Sequence, residues 1–229
     1  MTEHTHMEPR PHPTREAYDR ELVGIQDEIV RMGGYVEEAV RAATEAMQAH
    51  DADLARRVIE DDRRINEVQA HVSELITVTI ATQQPVARDL RYLLTLDRVA
   101  HELERMGDHA GSVAKQVRKL VQQPVLHRYV FLPRMGELVA GMIHDILIAL
   151  VEEDEARARG VASRDDEVDR LYHASFDVVL DLMRADPENV DRGTRILFAA
   201  HYLERIGDRV TNIAEDVLFL AGGVVEDLN

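Results

Sequence analysis

The sequence predicts an all-α protein of two tandem antiparallel three-helix bundles related by internal duplication. Three observations carry that prediction. Apolar residues recur at three-and-four spacing over long stretches, the period of one helical face. The stretches are broken only briefly, at Asp51, Pro85 and Pro124 in the first half and at Asp154 and Pro187 in the second. A nine-residue segment near the end of the first half recurs one hundred residues later in seven of nine positions, which is the mark of a repeat.

The opening residues place Pro9, Pro11 and Pro13 among His4, His6 and His12 without an apolar period, so 1–15 read as a disordered tail. Helix one follows, with Tyr18, Leu22, Ile25, Ile29, Met32, Val36, Val40, Ala43 and Met47 on one face. Asp51 suits the N-cap of helix two, because its carboxylate can accept from the free N–H groups of a first turn. Leu54, Val58, Ile65, Val68, Val72, Leu75 and Thr79 then run toward Gln84. Pro85, lacking an N–H, is expected in the first turn of helix three, whose stripe runs from Val86 to Leu120 and stops near Pro124. The second half repeats the plan, with helices expected over about 132–153, 154–185 and 187–221, the last closed by Gly222 and Gly223. These expectations put the first bundle at 16–123 and the second at 127–221, with the join between Gln122 and Arg128.

The repeat is explicit in residues. Ala-His-Glu-Leu-Glu-Arg-Met-Gly-Asp from Ala100 to Asp108 matches Ala-His-Tyr-Leu-Glu-Arg-Ile-Gly-Asp from Ala200 to Asp208, and Asp62-x-x-Ile65-Asn66 matches Asp165-x-x-Val168-Asp169. Composition narrows the function. The 229 residues contain no cysteine, so thiolate metal sites, disulfides and cysteine nucleophiles are excluded. A formal charge of −16 repels a phosphate backbone, and no basic stripe with interleaved aromatics offsets it, so nucleic-acid binding is not expected. The most apolar stretch, Val130 to Val151, contains Arg134, Glu137, His144 and Asp145, too many charges for a membrane span. With no signal-peptide hydrophobic region at the start, a cytoplasmic location is expected.

Asp97, His101, Glu104 and Asp108 form a polar stripe beside the apolar face of helix three, and His201, Glu204, Asp208 and Asn212 repeat it on the last helix. Glu104 and Asp108 stand one turn apart, about 6 Å along the axis, where like charges cost roughly 0.2–0.5 kcal/mol. Two compensations are open. Arg105 and Arg205 stand three residues before Asp108 and Asp208, where ordinary surface ion pairs form. Alternatively, a divalent cation takes the hard oxygen ligands that such pairs offer, and Mg²⁺, Mn²⁺ or iron would suit. Asp165 with Asp169 is a further acidic pair, and Asp62 with Asn66 a weaker version of it. Gly107 and Gly207 each cost their helix about 1 kcal/mol relative to alanine, which points to close approach of a neighbouring helix. His101 and His201 border the stripes, either as half-buried histidines or as ligands.

At these residues the chain resembles the PhoU family of phosphate-signalling regulators, whose repeated Glu-Arg-Ile-Gly-Asp signature stands as Glu204 to Asp208 and, in a first copy, as Glu104 to Asp108. The resemblance extends to Ala87-Arg88-Asp89-Leu90-Arg91, to Asp165 through Asp169 and to Thr211 through Glu215. It implies a cytoplasmic, non-enzymatic negative regulator of phosphate-starvation signalling and phosphate uptake. It further implies coupling of a phosphate ABC transporter, through its ATPase subunit, to a sensor histidine kinase. The expected form is a homodimer, peripheral to the membrane at most. Family members bind divalent or iron ions through such motifs, which carry over to Glu104, Asp108, Glu204 and Asp208, with Asp165, Asp169 and Asp62 beside them. Asn66, Ser112 and Lys115 depart from the pattern in the first repeat, so its site is expected to bind fewer ions or to bind them less tightly. Two alternatives remain at this point. A di-metal carboxylate oxidase would need Glu-x-x-His pairs on its helices, and the chain offers instead the reverse order, His101-x-x-Glu104. A metal-free scaffolding bundle needs neither.

Overall fold

The structure, a computed structural model, describes residues 15–126 and 131–222, together with 226 and 228. The expected tail lies outside these residues except for Arg15, which already belongs to the first helix. Seven α-helices are described, α1 (Arg15–Ala49), α2 (Ala52–Gln83), α3 (Arg88–Leu120), α4 (Phe131–Glu152), α5 (Glu155–Ala162), α6 (Asp165–Ala185) and α7 (Val190–Gly222). No strand occurs among the described residues. The stripes read from the sequence are the buried faces. Ile25, Ile29, Met32, Val36 and Val40 of α1 are all at most 1% exposed, as are Leu93, Leu103 and Met106 of α3. Asp51 caps α2, accepting from the N–H groups of Asp53 and Leu54 at 2.9 Å.

Three expected boundaries change. Pro85 does not open a helix, because Gln84 (φ 50°) and Ala87 (φ 49°) reverse the chain through left-handed backbone and α3 starts only at Arg88. Pro187 does sit in a first helical turn, but that turn is 3₁₀ and the α-helix starts at Val190. The single helix expected over 154–185 is two helices, α5 and α6, broken at Ser163 and Arg164. A cross-helix contact lies at the break. The Arg164 guanidinium reaches back to Asp145 on α4 at 2.5 Å, over Gly141, where an added Cβ would stand 2.9 Å from its Nη2. The backbone at Ser163 and Arg164 stays right-handed (ψ −15° at both), so the break is a tightening of the turn, in which the N–H groups of Arg164 and Glu167 donate to carbonyls three residues back.

α1, α2 and α3 run up, down and up, with Gln83 donating to Glu21 across α1 and α2, and Ser73 to Asp97 across α2 and α3. The second repeat packs on the first in reverse. α4 runs antiparallel to α1, where Gly33 faces Leu147 and Gly136 faces Thr44. α3 runs antiparallel to α7, where Arg98 meets Asp216 and Arg209 meets Glu102. These four helices form the central layer, α2 covers one flank, and α5 with α6 covers the other. The two bundles thus share one continuous apolar core. No helix among the described residues is long and apolar enough to cross a membrane.

Candidate metal centre

Asp165 stands in the first turn of α6, directly against Gly207 of α7. An added Cβ at Gly207 would fall on Asp165 Oδ1, so the missing side chain is what admits the carboxylate. Thr211 donates to Asp165 Oδ2 at 3.4 Å, while Oδ1 is buried with no hydrogen-bond partner. Glu204 Oε2 is likewise buried and unpartnered, with His201 Nδ1 3.3 Å away but not aligned to donate. Asp165, Asp169, Glu204 and Asp208 line one cavity of about 680 Å³, together with Arg205 and Arg209. The sequence reading missed Arg209, which follows the signature and bridges to Glu102 of α3 at 3.3 Å. Only the packing of α3 on α7 reveals that role.

The electrostatics follow from enclosure. Burial pushes Asp165 up to about 7, with Asp169 and Asp208 adding to it and the Thr211 hydroxyl opposing. Burial also takes Glu204 up to about 7, reinforced by Asp208 and Asp169 and opposed by Arg205 and His173. Asp208 is raised by burial, with Asp169 adding, against Arg205 and Arg209. Its ion pair with Arg205, expected from the spacing, forms at 2.5 Å.

The first repeat holds the same arrangement more openly. Asp62 Oδ1 is buried and unpartnered beside Gly107, and Asn66 donates to Asp62 Oδ2 at 3.4 Å. Burial raises Asp62, with Asp108 adding, and Lys115 and Asn66 opposing. Burial raises Glu104 too, reinforced by Asp108 and Asp62. Asp108, Asn66 and His101 are exposed. Arg105 does not reach Asp108 as the spacing suggested; it pairs with Glu102 at 3.4 Å. Both glycines mark close helix approach, as expected.

Whether these residues fit a hard cation can be judged from the donors. Each repeat buries a carboxylate oxygen that no group among the described residues satisfies, and such atoms cost about 1–3 kcal/mol when left alone. Oxygen-only donors suit Mg²⁺, Mn²⁺ and iron. Among the described residues no three Asp, Glu or His side chains already stand as a ready ligand set, so holding an ion requires them to turn inward. The donor chemistry fits, and in the second repeat the cavity leaves room for that turn.

The raised carboxylates predict a pH dependence for the ion-free protein. Asp165 and Glu204 have folded values near 7 against ordinary values of 3.8 and 4.5. The folded state therefore holds more protons than the unfolded chain between about pH 4 and 7, and stability falls as pH rises through that window. Allowing for solvent screening of these partly buried groups, each contributes about 1–2 kcal/mol. Melting of the chelator-treated protein should drop by roughly 4–16 °C from pH 5 to pH 8. The drop should disappear in Asp165→Asn/Glu204→Gln.

Comparison with known proteins matches this arrangement. The PhoU domain family matches residues 29–117 and again 132–217. The phosphate-specific transport system accessory protein PhoU homolog of Clostridium acetobutylicum is 37% identical over 217 residues, covering 94% of this chain and 99% of its own. The homolog of the same description from Caulobacter vibrioides is 38% identical over 220 residues, covering 96% and 92%. The crystal structure of PhoU from Pseudomonas aeruginosa matches with TM-score 0.87 at 34% identity, covering 90% of this chain and 100% of that one. With the domain matched twice and both signature copies on corresponding helices, the chain belongs to the PhoU family.

Proposed function

We propose that this protein is a negative regulator of phosphate-starvation signalling and phosphate uptake. It holds divalent or iron ions in its two acidic sites and couples the ATPase subunit of a phosphate ABC transporter to a sensor histidine kinase at the cytoplasmic face of the membrane. One observation carries the metal reading: at matching positions of the two repeats, Asp62 and Asp165 each bury a carboxylate oxygen without a partner. The regulatory reading is supported by relatives that are named accessory proteins of the phosphate-specific transport system. The role is one of binding, not of catalysis.

Asp165, Asp169, Glu204 and Asp208 would hold ion in the second repeat, and Asp62, Glu104 and Asp108 in the first. A bound cation supplies positive charge to a face that is otherwise strongly acidic. Asp165 and Glu204 release the protons they carry near neutral pH when they become ligands, so retention tightens as pH rises through 7. The first site, with Asn66 and Lys115 in place of acidic groups and Asp108 exposed, is the weaker of the two.

Elemental analysis by plasma mass spectrometry tests this. The wild-type protein, incubated with Mg²⁺, Mn²⁺ and Fe²⁺ and desalted, should retain stoichiometric metal. Glu204→Ala/Asp208→Ala should lose more of it than Glu104→Ala/Asp108→Ala. In a strain lacking the gene, the first double variant should fail to restore repression of phosphate-starvation genes in rich medium. Absence of retained metal in the wild type would overturn the metal reading. Repression that needs neither the protein nor phosphate would overturn the regulatory one.

A further inference from the structure

The two repeats differ in kind along one strip that borders the acidic stripes. In the first repeat this strip is Gln69, Ser73, Asp97, Arg98 and Glu102, and its polar groups are satisfied. Ser73 donates to Asp97 at 2.6 Å, Arg98 to Asp216 at 2.6 Å, and Arg209 to Glu102 at 3.3 Å. The matching positions of the second repeat, 103 residues on in α6 and 100 on in α7, are Tyr172, Phe176, Leu197, Phe198 and Tyr202. Each polar residue has an apolar or aromatic counterpart. The antiparallel seam of α3 and α7 shows the same exchange, because the place related to Glu102 with Arg209 is occupied by Tyr202 stacked on His109, ring centroids 5.9 Å apart.

The rings form a connected surface. Tyr172 lies 6.5 Å from Phe176 and 6.1 Å from His201, and Phe198 lies 6.4 Å from Tyr202. The chain has only six tyrosines and four phenylalanines, and four of these ten residues are here. Phe176 is 39% and Phe198 48% exposed. Aromatic residues are enriched at the cores of protein interfaces, and tyrosine is among the residues that carry most of their binding energy.

We infer that this strip docks a segment of a partner protein carrying apolar side chains flanked by lysine or arginine. The charge around the rings sets that chemistry. Outside the proposed ion ligands, α6 carries Asp166, Glu167, Asp177 and Asp181 against Arg170 and Arg184, with Asp177 and Asp181 exposed along it. The bordering arginines are engaged, Arg195 with Asp191 and Arg205 with Asp208. A second copy of this chain fits poorly, since a two-fold contact would set this acidic border against itself. The inference deepens the proposed function by giving its partners a surface.

The chain has no tryptophan, so Phe198→Trp installs a single fluorophore in the strip. Two probes are added, an amphipathic Leu/Lys helical peptide of ~14 residues and its Leu/Glu twin, a length that spans the strip. The Leu/Lys peptide should blue-shift the emission saturably and the Leu/Glu peptide should not. Phe176→Ser/Tyr202→Ser in the same background should weaken the binding by about tenfold or more. A tryptophan at Val23 of α1, 53% exposed, should stay silent. The transporter ATPase subunit or the cytoplasmic part of the kinase should reproduce the shift at position 198.

The outcomes separate the two readings. A peptide shift without binding of either protein keeps the strip and sinks the proposed partners. Binding of either protein, measured by sedimentation, with no shift and no loss in the double serine variant keeps the partners and overturns the strip. An equal shift at position 23, or one that grows with the protein's own concentration, also overturns it, the latter in favour of self-association.

Discussion

Gly207→Ala is expected to leave the protein folded and to weaken the ion binding proposed for the second acidic cavity. The added Cβ lands on Asp165 Oδ1, the tip of a side chain that can swing outward. The helix gains up to about 1 kcal/mol of propensity and the orphaned oxygen reaches water, so melting should hold or rise by a few degrees. Ion affinity should fall by at least ~10–100-fold, the cost of merely disturbing the groups that orient a ligand. Gly107→Ala should behave in the opposite way. There the Cβ meets Ile65, 2% exposed, at 2.8 Å from Cδ1 and 3.3 Å from Cγ2, whereas Asp62 Oδ1 stays at ordinary contact, 3.4 Å. That overpacking should cost about 1–3 kcal/mol while the first site keeps its affinity. Thermal melts with an ion titration of each variant check both halves; a destabilised Gly207→Ala that still binds would contradict the geometry.

Gly136→Ala should be the most damaging methyl group that can be added between the repeats. Its Cβ would stand 2.7 Å from Thr44 Oγ1 and 2.9 Å from Thr44 Cβ. Thr44 cannot yield, because its hydroxyl shares its one proton between the carbonyls of Val40 and Arg41, both at 2.9 Å, and its Cβ moves only with the backbone of α1. α1 and α4 must therefore separate, which loosens apolar contacts along the central layer. We expect a loss of about 2–3 kcal/mol and a fall in melting temperature of roughly 4–12 °C. Thr44→Ala in the same chain removes Oγ1 and Cγ2 and should recover part of the loss. An undiminished melt for the single variant would show that the helices are farther apart than described.

The helices were legible because their apolar faces repeat without interruption and Asp51 caps as its chemistry demands. The break at Ser163 and Arg164 was not legible, because Ala158, Val161 and Ala162 continue the apolar pattern and no proline or glycine stands at the break itself. The turn only tightens there, and it coincides with Arg164 reaching Asp145, a contact between residues nineteen apart that no local pattern encodes. Pro85 misled for a related reason: the reversal is set by left-handed backbone at Gln84 and Ala87, residues with no strong preference for it. In the acidic sites, the duplicated motif located Glu104, Asp108, Glu204 and Asp208, but not the difference in enclosure between the copies. Spacing on one helix also could not say that Arg205 takes its own stripe's aspartate while Arg105 turns to Glu102.

The reversed packing of α4 on α1 and of α7 on α3 bears on how the chain must be made. When the first three helices leave the ribosome, the faces of α1 and α3 that will meet the second repeat have nothing to cover them. At ordinary synthesis rates the missing hundred or so residues take roughly 5–20 s to arrive. During that interval the nascent chain is a bundle with a sticky side, held in solution by its acidic exterior. Its sequence must therefore suit two conditions in turn, first as a waiting half and then as a finished whole.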